Sequence, residues 1–230
     1  HLVAELSNNS PFINESVSVP YKLYVSPDTG VDNWRELEAP RYANFWSNNI
    51  DIKSLNVQNG TYKGEPYRYV VLRRTLLYPQ KTGKLKIEPL TLDISVQVPS
   101  NRRDFFGNLI SSSVNKTVSA GSSFIDVKPL PIDNKPNDFS GAVGDFNFEI
   151  KSDKKELLID EAFQLSLIIS GNGNFNLFED PKISLPSSLE VYEPEKISNV
   201  SVRAGGIRGK VSNKFTICLL YTSDAADDSQ

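Results

Sequence analysis

The chain has 230 residues, with 25 basic against 28 acidic side chains and a formal net charge of −3. So small an imbalance supplies no long-range field for nucleic acid or an anionic membrane surface. One cysteine, Cys218, and one histidine, His1, exclude an internal disulfide, a cysteine-metal cluster and histidine-based triad or metal chemistry. No apolar run reaches about 18 residues, the length a membrane-spanning helix needs.

In chain order, the first clear element is 16–25, where Val17, Val19, Tyr21, Leu23 and Val25 alternate with polar residues. That period of two predicts a half-buried strand, and Pro20 within it predicts an edge position or a bulge. The stretch 34–46 gathers Trp34, Tyr42, Phe45 and Trp46 without alternation and contains Pro40. It either caps the core of the first half or presents a binding surface, because large aromatics dominate interface hot spots. Trp34 and Tyr42 are the expected exposed members, and Phe45 and Trp46 the expected buried ones. Residues 67–89 read as strand, turn and strand around Gln80-Lys81-Thr82-Gly83, and Leu90, Leu92, Ile94, Val96 and Val98 alternate again. Residues 104–123, rich in Gly, Ser and Asn after Phe105-Phe106, predict a mobile loop or a poorly paired hairpin.

Residues 127–146 form a stiff joint. Its prolines fix φ and bias the residues before them toward extended conformations, while Gly141 and Gly144 permit the positive φ that a turn into the next strand requires. Pro131, Pro136 and Phe139 set the direction of the chain there. Beyond it, Phe146, Phe148 and Ile150 alternate, then Phe163, Leu165, Leu167 and Ile169. Residues 154–162 are expected to connect these as a turn between strands. Ser170-Gly171-Asn172-Gly173-Asn174-Phe175 reads as a β-turn needing positive φ. No segment carries a 3.6-residue apolar stripe of comparable length. The prediction is an all-β chain of two tandem immunoglobulin-like antiparallel sandwiches: residues 1–130, a linker at 131–138, and an incomplete second domain at 139–217.

Several of these segments, taken in order, resemble one family. Val127-Lys128-Pro129-Leu130-Pro131 running into Gly141-Ala142-Val143-Gly144 is similar to the joint of BatD, the Bacteroides aerotolerance ("oxygen tolerance") family of membrane-anchored envelope proteins. The strand–turn–strand at 67–89, the Pro-aromatic-Phe-Trp segment at 40–46 and the Gly-Asn-Gly-Asn segment with Pro181 and Pro186 resemble that family too, so the likeness covers about residues 3–215. It implies a non-enzymatic ectodomain on the periplasmic side of the bacterial envelope. It also implies a leader trimmed from the start, an anchor lost beyond the end, and partners among Bat-type proteins with von Willebrand factor A domains.

From Cys218 the character changes. Cys-Leu-Leu-Tyr-Thr-Ser-Asp-Ala-Ala-Asp can be back-translated as the read-through of a transposase sequencing adapter, so 218–230 is expected to be a non-native tail. Without it, the remaining 217 residues carry 25 basic and 25 acidic side chains.

No catalytic, cofactor or metal residues are predicted. No serine occupies a Gly-x-Ser-x-Gly elbow, and the pairs Asp160-Glu161 and Glu179-Asp180 read as solvated turn charges rather than paired acids. Gly171-Asn172-Gly173-Asn174 lacks the Lys-Ser/Thr of a phosphate loop. The sequons at Asn8, Asn14, Asn59, Asn115 and Asn199 read as chance matches in an Asn- and Ser-rich chain. The rival reading is a carbohydrate-binding or adhesin-like β-sandwich that uses exposed aromatics as sugar platforms.

Overall fold

A computed structural model describes residues 1–103, 105–107, 109–158 and 161–220. The chain is all-β, with antiparallel sheets and no helix among the described residues. It divides into two compact units: His1–Lys135 with Val202–Gly206, and Pro136–Ser201 with the residues from Ile207 onward.

The first unit contains β1 (Leu2–Ala4), β2 (Val17–Val25), β3 (Gly30–Glu38), β4 (Phe45–Asn49), β5 (Gln58–Tyr62), β6 (Glu65–Pro79), β7 (Gly83–Ile87), β8 (Thr91–Arg103), β9 (Leu109–Ser119) and β10 (Ser123–Val127). A five-stranded sheet runs β1-β2-β6-β4, with β5 also on β6; a three-stranded sheet runs β3-β8-β9, and β7 pairs β10. Besides β2, the long β6 serves two partners, β5 along residues 65–69 and β4 along residues 75–79. The sheets close on one core: Val17, Val19, Tyr21, Leu23 and Leu77 from the first pack in the same cluster as Leu92, Ile94 and Val96 from the second and Leu85, Ile87 and Ile125 from the third. The alternation legible in 17–25 and 90–98 is therefore the period of strands that turn one face inward.

Three features of this unit sharpen the reading. Of the two settings expected for Pro20, an edge or a bulge, the structure shows the bulge: β2 lies between β1 and β6, Pro20 pairs Arg74, and the register shifts just beyond it, between Tyr21 and Lys22. Tyr24, on the face away from the core, is buried all the same, since Tyr62, Tyr67 and Tyr69 cover it. Of the mobile loop and the poorly paired hairpin expected at 104–123, the structure shows a hairpin, and a well-paired one: β9 keeps register with β8 from Thr91↔Ser119 to Pro99↔Ser111. Its Ser, Asn, Thr and Lys face solvent, where polar residues are compatible with a strand, and Ser95 and Ser113 hydroxyls meet across the ladder at 2.7 Å. Asp104, the first residue of that predicted loop, lies outside the described residues.

The second unit is one sheet built from β11 (Gly144–Ser152), β12 (Ala162–Gly173), β13 (Leu189–Val191), β14 (Glu195–Arg203) and β15 (Gly206–Leu219), ordered β11-β12-β15-β13 with β14 also on β15. Leu167, Phe215 and Ile217 form its small core, with Ile183 and Leu185 folded over from the connection after β12. The adapter-like tail begins inside this sheet. Cys218 pairs Ala162 and Glu190, and Leu219 pairs Leu189, because ladder hydrogen bonds use backbone groups that any non-proline residue supplies. Residues 221–230 lie outside the described residues.

Candidate functional site

The four aromatic candidates do not form one patch. Trp34 lies on β3, where it is 36% exposed. Phe45 and Trp46 open β4 in the other sheet; Phe45 packs against the main core, and Trp46 sits edge-on to buried Tyr78 with ring centroids 5.5 Å apart. Tyr42 was expected to be exposed but is tied inward. Its hydroxyl donates to Thr75 Oγ1 at 3.1 Å and lies 3.2 Å from the Tyr21 hydroxyl, and Thr75 in turn donates to Asn49 Oδ1 at 2.9 Å. A buried phenol needs a hydrogen-bond partner, and the Tyr42 position is where buried Tyr21 finds one. Burial, with Tyr42 beside it, pushes the Tyr21 phenol far above its usual range.

A second aromatic group assembles from β2, β5, β6 and the start of the chain, bringing Tyr24 and His1 to Tyr62, Tyr67 and Tyr69. Tyr24 stacks 5.2 Å from Tyr62 and 5.3 Å from Tyr69, while Tyr67 meets Tyr24 edge-on at 6.4 Å and His1 meets Tyr62 at 4.7 Å. The rings are spent on one another at mixed angles rather than laid flat as a sugar platform. Tyr24 donates to Glu5 Oε1 at 2.7 Å and Lys22 pairs with Glu5 Oε2 at 2.6 Å. Burial alone would raise Glu5, but the hydrogen bonds from Lys22 and Tyr24 outweigh it and hold the carboxyl below its usual range. The Tyr24 phenol is pushed up to about 12, first by burial and then by its bond to Glu5.

The joint residues fall into two groups. Pro131 and Pro136 are exposed, and two tight turns carry the chain past them, with Lys135 N donating to Ile132 O and Phe139 N to Pro136 O. The Gly141-Ala142-Val143-Gly144 segment, by contrast, is locked to the Gly-Asn-Gly-Asn segment 30 residues later. Asn174, fully buried, accepts from Val143 N at 2.7 Å through Oδ1 and donates from Nδ2 to Gly141 O at 2.9 Å, while its own N–H donates to Val143 O at 3.2 Å. Gly141 and Gly144 both take positive φ, +91° and +143°. Phe146, Phe175 and Phe178 close around this node with centroid separations of 5.0, 5.3 and 6.2 Å.

The Gly-Asn-Gly-Asn segment is thus not a β-turn. Its glycines are the last residues of β12, in register with β11 through Gly144↔Gly173 and Phe146↔Gly171. Glycine is required there by close approach: at φ +148°, a Cβ on Gly171 would stand 2.0 Å from Asp145 O. Asn174, which sequence reasoning placed in a turn, is the residue on which both segments converge. Its signal was its position one residue past a Gly-x-Gly strand end.

The carboxylate pairs are engaged as surface ions. Asp180 pairs with Lys196 at 2.5 Å, Glu179 with Lys182 at 3.8 Å, and Glu161 with Lys154; Asp160 lies outside the described residues. Among the described residues, no three His, Cys, Asp or Glu side chains gather as a metal site. No family model, curated protein or solved structure matches the chain.

Proposed function

We propose that the chain is a non-enzymatic interaction module of the BatD type, held at the periplasmic side of a bacterial envelope by an anchor outside this sequence. In this reading it acts as a scaffold for partners that carry von Willebrand factor A domains and contributes to oxygen or envelope-stress tolerance. The observation that supports it most is the node at Asn174. Two of the segments that carry the family resemblance, 141–144 and 170–175, have their backbones hydrogen-bonded through one buried side chain, so the resemblance falls on residues with a shared structural task. Trp34 gives the module an exposed aromatic anchor on its first unit, of the kind that carries binding energy at interfaces. Phe45, Trp46 and Tyr42 support the sheet behind it rather than touch a partner. Pro131, Pro136 and Phe139 belong to the segment that joins two immunoglobulin-like domains.

A pull-down of purified, recombinant von Willebrand A-type envelope proteins by the immobilised chain tests this reading. Capture by the unmodified chain that weakens with Trp34→Ala is expected. A folded chain that captures none of them, while retaining immobilised glycans on an array, would replace the protein-binding reading with the carbohydrate-binding one.

A further inference from the structure

The first unit holds a groove of about 540 Å3, within the range of roughly 300–1,000 Å3 typical of small-molecule sites. It lies between the end of the five-stranded sheet and β3. Its walls are apolar, with Val25, Val31, Leu55, Val57 and Trp34 among them, and Leu55 and Val57 are 51% and 66% exposed. The connection that carries Leu55 and Val57 therefore leaves its apolar side chains uncovered beside the groove rather than folded into the core.

Among the described residues, one cation lines this apolar groove. Arg68 donates from Nη2 to Thr29 O at 2.9 Å, and its Nε–H is sealed from solvent with no hydrogen-bond partner. Among the described residues no carboxylate comes within 4 Å of its guanidinium. Asp32, the acid on the groove wall, is occupied: Gln97 Nε2 donates to it at 2.7 Å and Ser113 Oγ at 3.0 Å. Asp28 takes the Ser26 hydroxyl and its own backbone N–H, and the charge of Arg68 contributes only the weakest part of the depression of its carboxyl. Arg73 also has a buried, unpaired Nε, but its charge is compensated by Glu36 at 3.0 Å. Arg68 is therefore a half-buried cation without a carboxylate partner at an apolar cleft, an arrangement complementary to an anion that brings its own apolar body.

We propose that this groove binds a small amphiphilic monocarboxylate, its chain against Val31, Leu55 and Val57 and its carboxylate on Arg68. A planar carboxylate matches the terminal N–H donors of the guanidinium. A peptide added as a strand is disfavoured, because the edge strand β3 breaks register between Val31 and Asn33 and again between Glu36 and Glu38, which spoils a continuous ladder.

Titration calorimetry of the full chain with decanoate, and with decanol as the uncharged match, tests the assignment. Saturable decanoate binding is expected, roughly tenfold tighter than decanol, with quenching of Trp34 fluorescence that disappears in Trp34→Phe. Arg68→Gln should weaken decanoate roughly tenfold and leave decanol within twofold. Non-saturable partitioning, or equal affinity for acid and alcohol in the unmodified chain, would overturn the proposal even if Arg68→Gln failed to fold.

Discussion

The two units use the same pattern to different ends. In β2 the alternating residues Val17, Val19 and Tyr21 are completely buried, because the sheets of the first unit close over them. In β11 the alternation of Phe146, Phe148 and Ile150 is just as regular, yet Phe148 is 54% and Ile150 59% exposed, since no second sheet lies over that end of the second unit among the described residues. Alternation selects a face; only an opposing layer buries it. In the second unit the close approach at Gly171 and the Asn174 node fix how β11 meets β12.

That contrast can be broken most severely at Gly171. Gly171→Ala places a methyl against the Asp145 carbonyl oxygen, and a loss of about 4 kcal/mol or more is expected, read as collapsed hydrogen-exchange protection in β11 and β12 while β2 and β8 keep theirs. Leu92→Ala should do the reverse. It empties a fully buried site in the first unit at a cost of about 3 kcal/mol and lowers protection in β2 and β8 first. Asn174→Ala leaves Val143 N–H and Gly141 C=O without their partners, an expected loss of about 2 to 3 kcal/mol that denaturant unfolding would register in the second unit.

A smaller effect follows from the Glu5–Tyr24 pair. Glu5 is held low in the folded state, so its contribution is present above its unfolded pKa and is lost as pH falls through the folded value; Tyr24 is raised, so its contribution is present below the unfolded pKa of about 10 and is lost as pH climbs from there to about 12. Thermal melts across pH should show both losses, each shallower in Tyr24→Phe, with the alkaline loss persisting in part because Tyr21 is raised as well. Ile150→Ser should be the mildest, within about 0.5 kcal/mol, since the side chain is already largely solvated.

Much of the fold was legible because periodicity and turn chemistry act locally. Residues 17–25 and 90–98 announced their strands through β-branched and leucine alternation. Residues 109–119 did so only weakly, because Ser, Asn, Thr and Lys outnumber the apolar residues and, among the described side chains, Val118 alone packs on the core, so pairing with β8 distinguishes them from a loop. The Gly-Asn-Gly-Asn segment was read as a turn because glycine serves turns and close strand contacts alike; what decides between them is the Asp145 carbonyl, 26 residues away in sequence. Trp34 and Tyr42 looked equivalent on the page. Their difference comes from Tyr21 and Thr75, which reach Tyr42 from other strands and leave Trp34 at the surface. Arg68 sits unremarked between two tyrosines, and its lone Nε exists only once β3 and the segment before β5 fold beside it.

The reading of the first unit as the binding face is tested most directly by the affinity of the chain for a purified von Willebrand A-type envelope protein, measured side by side for Trp34→Ala and Phe148→Ala. These substitutions truncate one exposed aromatic on each unit. The account predicts at least tenfold weaker binding for Trp34→Ala and a change within twofold for Phe148→Ala. Unchanged binding for Trp34→Ala together with a large loss for Phe148→Ala would contradict it and move the interface to the open sheet of the second unit.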